Sequence, residues 1–243
     1  MSDVAAPSPD WRSLAVAASG ATPHFAIWKH GETLARPGGD LDATAPRDAW
    51  PVLAPAIAGW AAAEGCTHLV RCQHVPGTLI TVACGGRVAD ALLQVDLVAR
   101  KPLAAGAWFD AESVAAAAEL DGRGVRRLPG GAEGLLRLLD HPDDAEAASL
   151  LRADPDGAEA MARSLPLPRR LVLAAAGGSA ASRLAAAVVA SVQAVAGRRL
   201  DRPFARWRPC AVTSALAQDR RAIPSVSVWL AAAARDHEVE SIA

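Results

Sequence analysis

An α+β fold is what the sequence predicts: a small mixed or antiparallel sheet flanked by helices, followed by a C-terminal helical bundle. Three observations predict it. Strand-like runs at residues 67–75, 78–84 and 91–99 follow one another with only Pro-Gly or Gly-Gly punctuation, the pattern of an antiparallel meander. Segments of helical period lie on both sides of that meander. Beyond about residue 130 the strand signals stop and short helical patterns separated by Pro, Gly and Asp take over. The expected division is therefore an α/β domain over 1–130 and a helical domain over 131–243.

In chain order, "SPDWRSLAVAASG" predicts a helix capped by Ser8, with Pro9 in its first turn and Gly20 as its stop. "HFAIWK" (24–29) predicts a strand, and "DLDA" (40–43), flanked by breakers, a second one. Residues 48–65 have helical spacing, with Trp50, Leu53, Ile57 and Trp60 on one face, Pro51 in the first turn, Pro55 inside and Gly65 at the end. After the meander come a helix over 111–120 and a strand over 124–128. The helical half comprises "GAEGLLRLLD", "DAEAASLLR", "GAEAMARSL" and "SAASRLAAAVVASVQAVAG"; in 201–243 the pattern is mixed, with 223–239 fitting an extended start and a helical end.

Composition narrows the function classes. The 243 residues are 51% hydrophobic with a net charge of −1, which fits a packed core and carries no basic face for nucleic acid. Lys29 and Lys101 are the only lysines; arginine supplies the rest of the positive charge. Four cysteines, Cys66, Cys72, Cys84 and Cys210, form no dense framework, which predicts a reducing, cytoplasmic setting. "MSDVAAPSPDW" has neither a basic nor an apolar leader region. The apolar run 184–197 falls short of the ~20 residues a membrane span needs.

The chemistry concentrates in "PGGDLDATAP". On a strand, alternate side chains share a face, so Asp40 and Asp42 project together while Leu41 turns into the core. Two carboxylates on one face repel unless a cation lies between them, and Mg²⁺ or Mn²⁺ prefers such oxygen ligands. The glycine pair ending at Gly39 lets a backbone or a phosphate approach closely. The competing reading is a solvated turn that caps the next helix. In "LLQVDLV", Asp96 interrupts an apolar strand, where an ionised group is costly unless paired or metal-bound. It shares a face with Gln94 and Val98, opposite Leu93, Val95 and Leu97. A plain pairing of Asp96 with backbone amides or an arginine fits the sequence equally well. Three carboxylates on two strands are what metal-assisted nucleotidyl transfer requires.

The order "AIWKHG", "GGDLD", helix, two strands and "LLQVDLV" resembles the polymerase-beta-type nucleotidyltransferase superfamily over roughly residues 20–140. More narrowly, "WKHGETLARPGGDLDATAP", "LVRCQHVPG" and "LLQVDLV" are similar to the nucleotidyltransferase-like domains that precede thymidylate-kinase-like domains in some bacterial proteins. The resemblance implies Asp40 and Asp42 as metal ligands, with Asp96 as a third ligand or as base toward an acceptor hydroxyl. It also implies a nucleoside triphosphate as substrate, held at the turn after the first strand. Active members carry Gly-Ser in that turn; here it reads His30-Gly31-Glu32, and a glutamate beside a triphosphate is repulsive. No Walker A lysine is found: "AAAGGSAASR" (174–183) lacks Gly-Lys-Ser/Thr, so the chain is expected to act alone or with a separate kinase-like or other protein partner.

Arg47, Arg71, Arg100 and Lys101 are candidate triphosphate contacts, against the simpler reading of solvated surface charge. His74 is expected to line the cleft. Cys66, His68, Cys72 and His74 share parity, yet one strand would spread them over ~25 Å, too far for a tetrahedral zinc site. Trp28, Trp50 and Trp60 are expected in the core. Three functions follow: a nucleotidyltransferase acting on a hydroxyl, a degenerate member that binds a nucleotide or partner without chemistry, and a glycosyltransferase using the DxD with Mn²⁺.

Overall fold

A computed structural model describes residues 9–34, 40–72, 77–85, 88–102, 108–141, 143–165, 172, 211–213 and 240–242. Its centre is a pair of parallel strands, β2 (Asp40–Thr44) and β5 (Val88–Val98), with Asp42 opposite Asp96. Around them, β3 (His68–Cys72), β4 (Thr78–Gly85) and β5 form the expected antiparallel meander. β1 (Ala26–Ile27) lies antiparallel on the other side of β2. The hairpin of β8 (Glu119–Leu120) and β9 (Arg126–Arg127) completes a mixed seven-strand sheet in the order β3-β4-β5-β2-β1-β9-β8. A separate short hairpin pairs β6 (Arg100–Pro102) with β7 (Trp108–Asp110).

Helices cover the two faces differently because the strands alternate. On one face, Ile27, Leu41, Ala43, Leu69, Leu93, Val95 and Leu97 share a core with α1 (Trp11–Ala21) and α2 (Trp50–Ala63). Trp11 and Trp60 stack there at 4.7 Å between ring centroids. On the other face, Ala26, Trp28, Val98 and Phe109 share a second core with α3 (Ala111–Ala117), α4 (Gly130–Asp140), α5 (Ala145–Ala153) and α6 (Pro155–Ser164). Helices α4 to α6 pack together closely: a Cβ on Gly134 would stand 2.6 Å from the Ala147 carbonyl oxygen, so only glycine admits α5 at this distance. Trp28, Trp50 and Trp60 are all buried, as expected.

Several local expectations change. The first helix is capped by Asp10, whose side chain accepts the Ser13 N–H, and it runs past Gly20 to Ala21; Ser8 lies outside the described residues. The strand expected over 24–29 pairs at only two residues, because the chain turns sharply after Trp28. The C-terminal half is not helical throughout. β10 (Ala211–Thr213) adds antiparallel to β3, and β11 (Glu240–Ile242) adds parallel to β10. The segment 179–197 lies outside the described residues, as does 223–239. Among the described residues no helix is long and apolar enough to cross a membrane.

Candidate metal centre

Register and pleat assemble the acidic site. Cross-strand partners in a sheet share a face, so Asp40 opposite Gln94 and Asp42 opposite Asp96 present four polar side chains together. Leu41, Leu93, Val95 and Leu97 turn into the first core. One carboxylate oxygen from each of Asp40, Asp42 and Asp96 lies within 4.8 Å of the others. Asp40 is exposed, Asp42 is buried at 8% exposure, and Asp96 lies between these extremes.

Such crowding has an electrostatic cost. Burial, and then the Asp42 charge beside it, pushes the Asp96 carboxyl up to about 6, although Gln94 Nε2 donates to its Oδ1 at 3.0 Å. Burial likewise raises Asp42, partly offset by Lys29, with Asp40 adding to the rise. Lys29 Nζ stands 3.4 Å from Asp42 Oδ2. That oxygen is buried, and among the described residues no donor closer than this long ammonium contact reaches it. An all-oxygen donor set with an orphaned buried carboxylate oxygen fits a hard divalent cation, which would supply the missing partner. Among the described residues Asp96 pairs with the Gln94 amide and not with the arginine or backbone amide the sequence left open.

Both lysines converge beside this cluster. Lys101 Nζ lies 4.6 Å from the Trp28 ring centroid and Lys29 Nζ lies 5.9 Å from it. Lys101 also pairs with Asp140 at 2.7 Å. An open cleft of about 420 Å³ is lined by Lys29, His30, Asp40, Arg137, His141, Asp144 and Glu146.

The turn after β1 has an unforeseen occupant. His30 takes a left-handed conformation, φ 58°, which points the N–H groups of His30 and Gly31 at one spot. The Glu133 carboxylate accepts both, at 2.8 and 3.1 Å. Glu133 is in turn held by Arg137 Nη1 at 3.0 Å, and Arg137 also reaches Asp144 and Glu146, each at 2.8 Å. The anion-binding amides of the turn are thus committed to an internal carboxylate from α4.

The residues expected at the site divide accordingly. Asp40, Asp42 and Asp96 come together. Gly31 lies in the turn, its amide taken by Glu133. Glu32 is exposed and pairs with Arg127 at 2.7 Å and Arg123 at 3.8 Å, so its charge is already compensated. Arg71 sits opposite Thr81, which sits opposite Val95; it therefore lies on the α1–α2 face, away from the acidic side chains. Gly39 and His74 lie outside the described residues. Arg47 faces the Trp50 ring at 5.7 Å. Cys66 precedes β3, so it does not share a strand with His68 and Cys72. Glu133 and Arg137 were missed, though "AEGLLRLLD" carries the same signal as Asp96: ionised residues inside an apolar run, here spaced for an i,i+4 pair.

No family model, no curated protein and no solved structure matches this chain.

Proposed function

We propose that the chain is a divalent-cation-dependent nucleotide-binding protein of the nucleotidyltransferase type. Asp40 and Asp42 would hold Mg²⁺ or Mn²⁺, with Asp96 completing the set. The observation that carries this reading is the convergence of three carboxylates within 4.8 Å on two adjacent parallel strands, one of them with an orphaned buried oxygen. A cation there would neutralise phosphate charge and make the α-phosphorus of a nucleoside triphosphate easier to attack. Asp96, on the neighbouring strand, would complete the ligand set or take the proton of an acceptor hydroxyl. In the transfer, the hydroxyl oxygen bonds to the α-phosphorus, the bond to the bridging oxygen breaks, and pyrophosphate leaves.

The second reading, a nucleotide-binding member without chemistry, is favoured by the turn. Its His30 and Gly31 amides are taken up by Glu133 and are not free for β- and γ-phosphate oxygens. Calorimetry with Mg²⁺ and ATP or CTP tests both readings. Wild type should bind, and Asp40→Ala and Asp42→Ala should each abolish the Mg²⁺-dependent part while the fold persists. Equal binding by all three proteins would remove the metal role. Binding without formation of pyrophosphate, across a panel of hydroxyl acceptors, would favour the second reading.

A further inference from the structure

The chain has 25 basic residues, of which two are lysines; both lie beside the Trp28 ring, and Lys29 reaches Asp42 at 3.4 Å. The two types differ in kind. A guanidinium grips carboxylates in a planar fork, whereas an ammonium is a compact point charge on a flexible stem. Arg137 shows the first behaviour, held by Glu133, Asp144 and Glu146 with its side chain only 3% exposed. Lys29 shows the second. Its ammonium makes only a long contact, 3.4 Å, with Asp42 Oδ2, and its side chain is 24% exposed. It also forms part of the cleft wall, beside His30 and Asp40. Lys101 is anchored instead, on Asp140 at 2.7 Å.

We infer that Lys29 is a displaceable counter-ion of the Asp40, Asp42 and Asp96 cluster: a divalent cation entering the cluster expels its ammonium toward the cleft, where it binds an anionic group of the ligand. The inference rests on the metal reading above and adds a coupling to it. The ammonium and the cation compete for Asp42, so Lys29 weakens metal binding in the absence of ligand. Once released, the same charge strengthens phosphate binding. Metal entry and anion capture are then linked through one side chain, and arginine would not serve because its fork would hold Asp42 too firmly.

Mn²⁺ binding to the full chain, followed by electron paramagnetic resonance above the carboxyl titration range, tests this. Lys29→Met should bind Mn²⁺ about fivefold more tightly than wild type, the effect of losing an ion pair of ordinary strength. Lys29→Arg should bind it more weakly than wild type. Lys101→Met, which removes an equal charge from an anchored position, should change affinity by less than about twofold. Inorganic pyrophosphate should bind the Mn²⁺-loaded wild type about tenfold more tightly than Mn²⁺-loaded Lys29→Met. Equal Mn²⁺ affinity in wild type and Lys29→Met overturns the inference, as does equal tightening by Lys101→Met, which would reduce the effect to net charge. Equal pyrophosphate affinity overturns the coupling. Absence of Mn²⁺ binding from every protein overturns the metal reading itself. Lys29→Gln, with thermal melts of each variant, provides the same comparison should the methionine variant unfold.

Discussion

Two clusters of three carboxylates reach one cleft, the first through Asp144 and Glu146 and the second through Asp40, and they behave in opposite ways. Glu133, Asp144 and Glu146 surround Arg137, which donates to each of them. Hydrogen bonding to Arg137 draws Glu146 below its ordinary range; at Asp144, burial works the other way but is outweighed by the Ala147 amide and Arg137. Asp40, Asp42 and Asp96 have no such centre, and burial with mutual repulsion raises Asp42 and Asp96. Composition does not separate the clusters. What separates them is that the fold gives the first an enclosed guanidinium bonded to all three carboxylates, and the second an ammonium 3.4 Å from only one of them. The first cluster is a structural joint tying the turn at His30 to α4 and α5. The second is a site whose electrostatics call for a cation from outside.

The largest effect should come from breaking the joint. Arg137→Met leaves the buried Glu133 carboxylate without its cation, so stability measured by urea unfolding should fall by about 3–5 kcal/mol. A loss below about 1 kcal/mol would erase the contrast between the clusters. In the acidic centre the sign reverses. Asp42→Asn removes repulsion, so metal-free stability should hold or rise by about 1 kcal/mol, while Mn²⁺ affinity falls about a hundredfold. Matching losses of stability in both variants would make the acidic centre an ordinary structural network.

The pH dependence sharpens the comparison further. For Asp96 the folded value, about 6, exceeds the unfolded carboxyl value of 3.8. Between these values the folded chain holds more protons than the unfolded one, so this group's contribution falls as pH rises and is lost above the window. Asp144 and Glu146 act oppositely: their contribution is present above the ordinary carboxyl range and disappears as pH falls through their depressed values. Metal-free Asp96→Asn should therefore match wild type near the acid end of the Asp96 window. At neutral pH it should exceed wild type by about 2 kcal/mol, after allowance for partial solvent screening. Urea midpoints taken across pH would reveal this, and a constant difference would contradict it. The smallest effect belongs to Glu32. Because Arg127 and Arg123 already compensate it, Glu32→Ser should alter Mg²⁺-nucleotide affinity by less than about twofold in calorimetry. A tenfold gain would show that Glu32 does oppose the ligand.

Much of the fold and the heart of the site were legible because strand periodicity is local. The alternation in "DLDAT" and "LLQVDLV" determined by itself that Asp40 and Asp42 share a face, that Asp96 shares one with Gln94, and that the intervening leucines and valines face a core. The glycine and proline punctuation likewise determined the β3-β4-β5 meander. Only the tertiary structure decided that β2 lies parallel beside β5 with Asp42 opposite Asp96, since register between strands some fifty residues apart depends on the packing of both faces. It alone decided that the turn amides belong to Glu133, 103 residues from His30, and that Glu32 turns to Arg127. It also sent Arg71 to the opposite face and set both lysines beside Trp28. A side chain's periodicity is written in its neighbours, but the partner of a charge is whichever group folding brings within a few ångströms, and no local pattern encodes that.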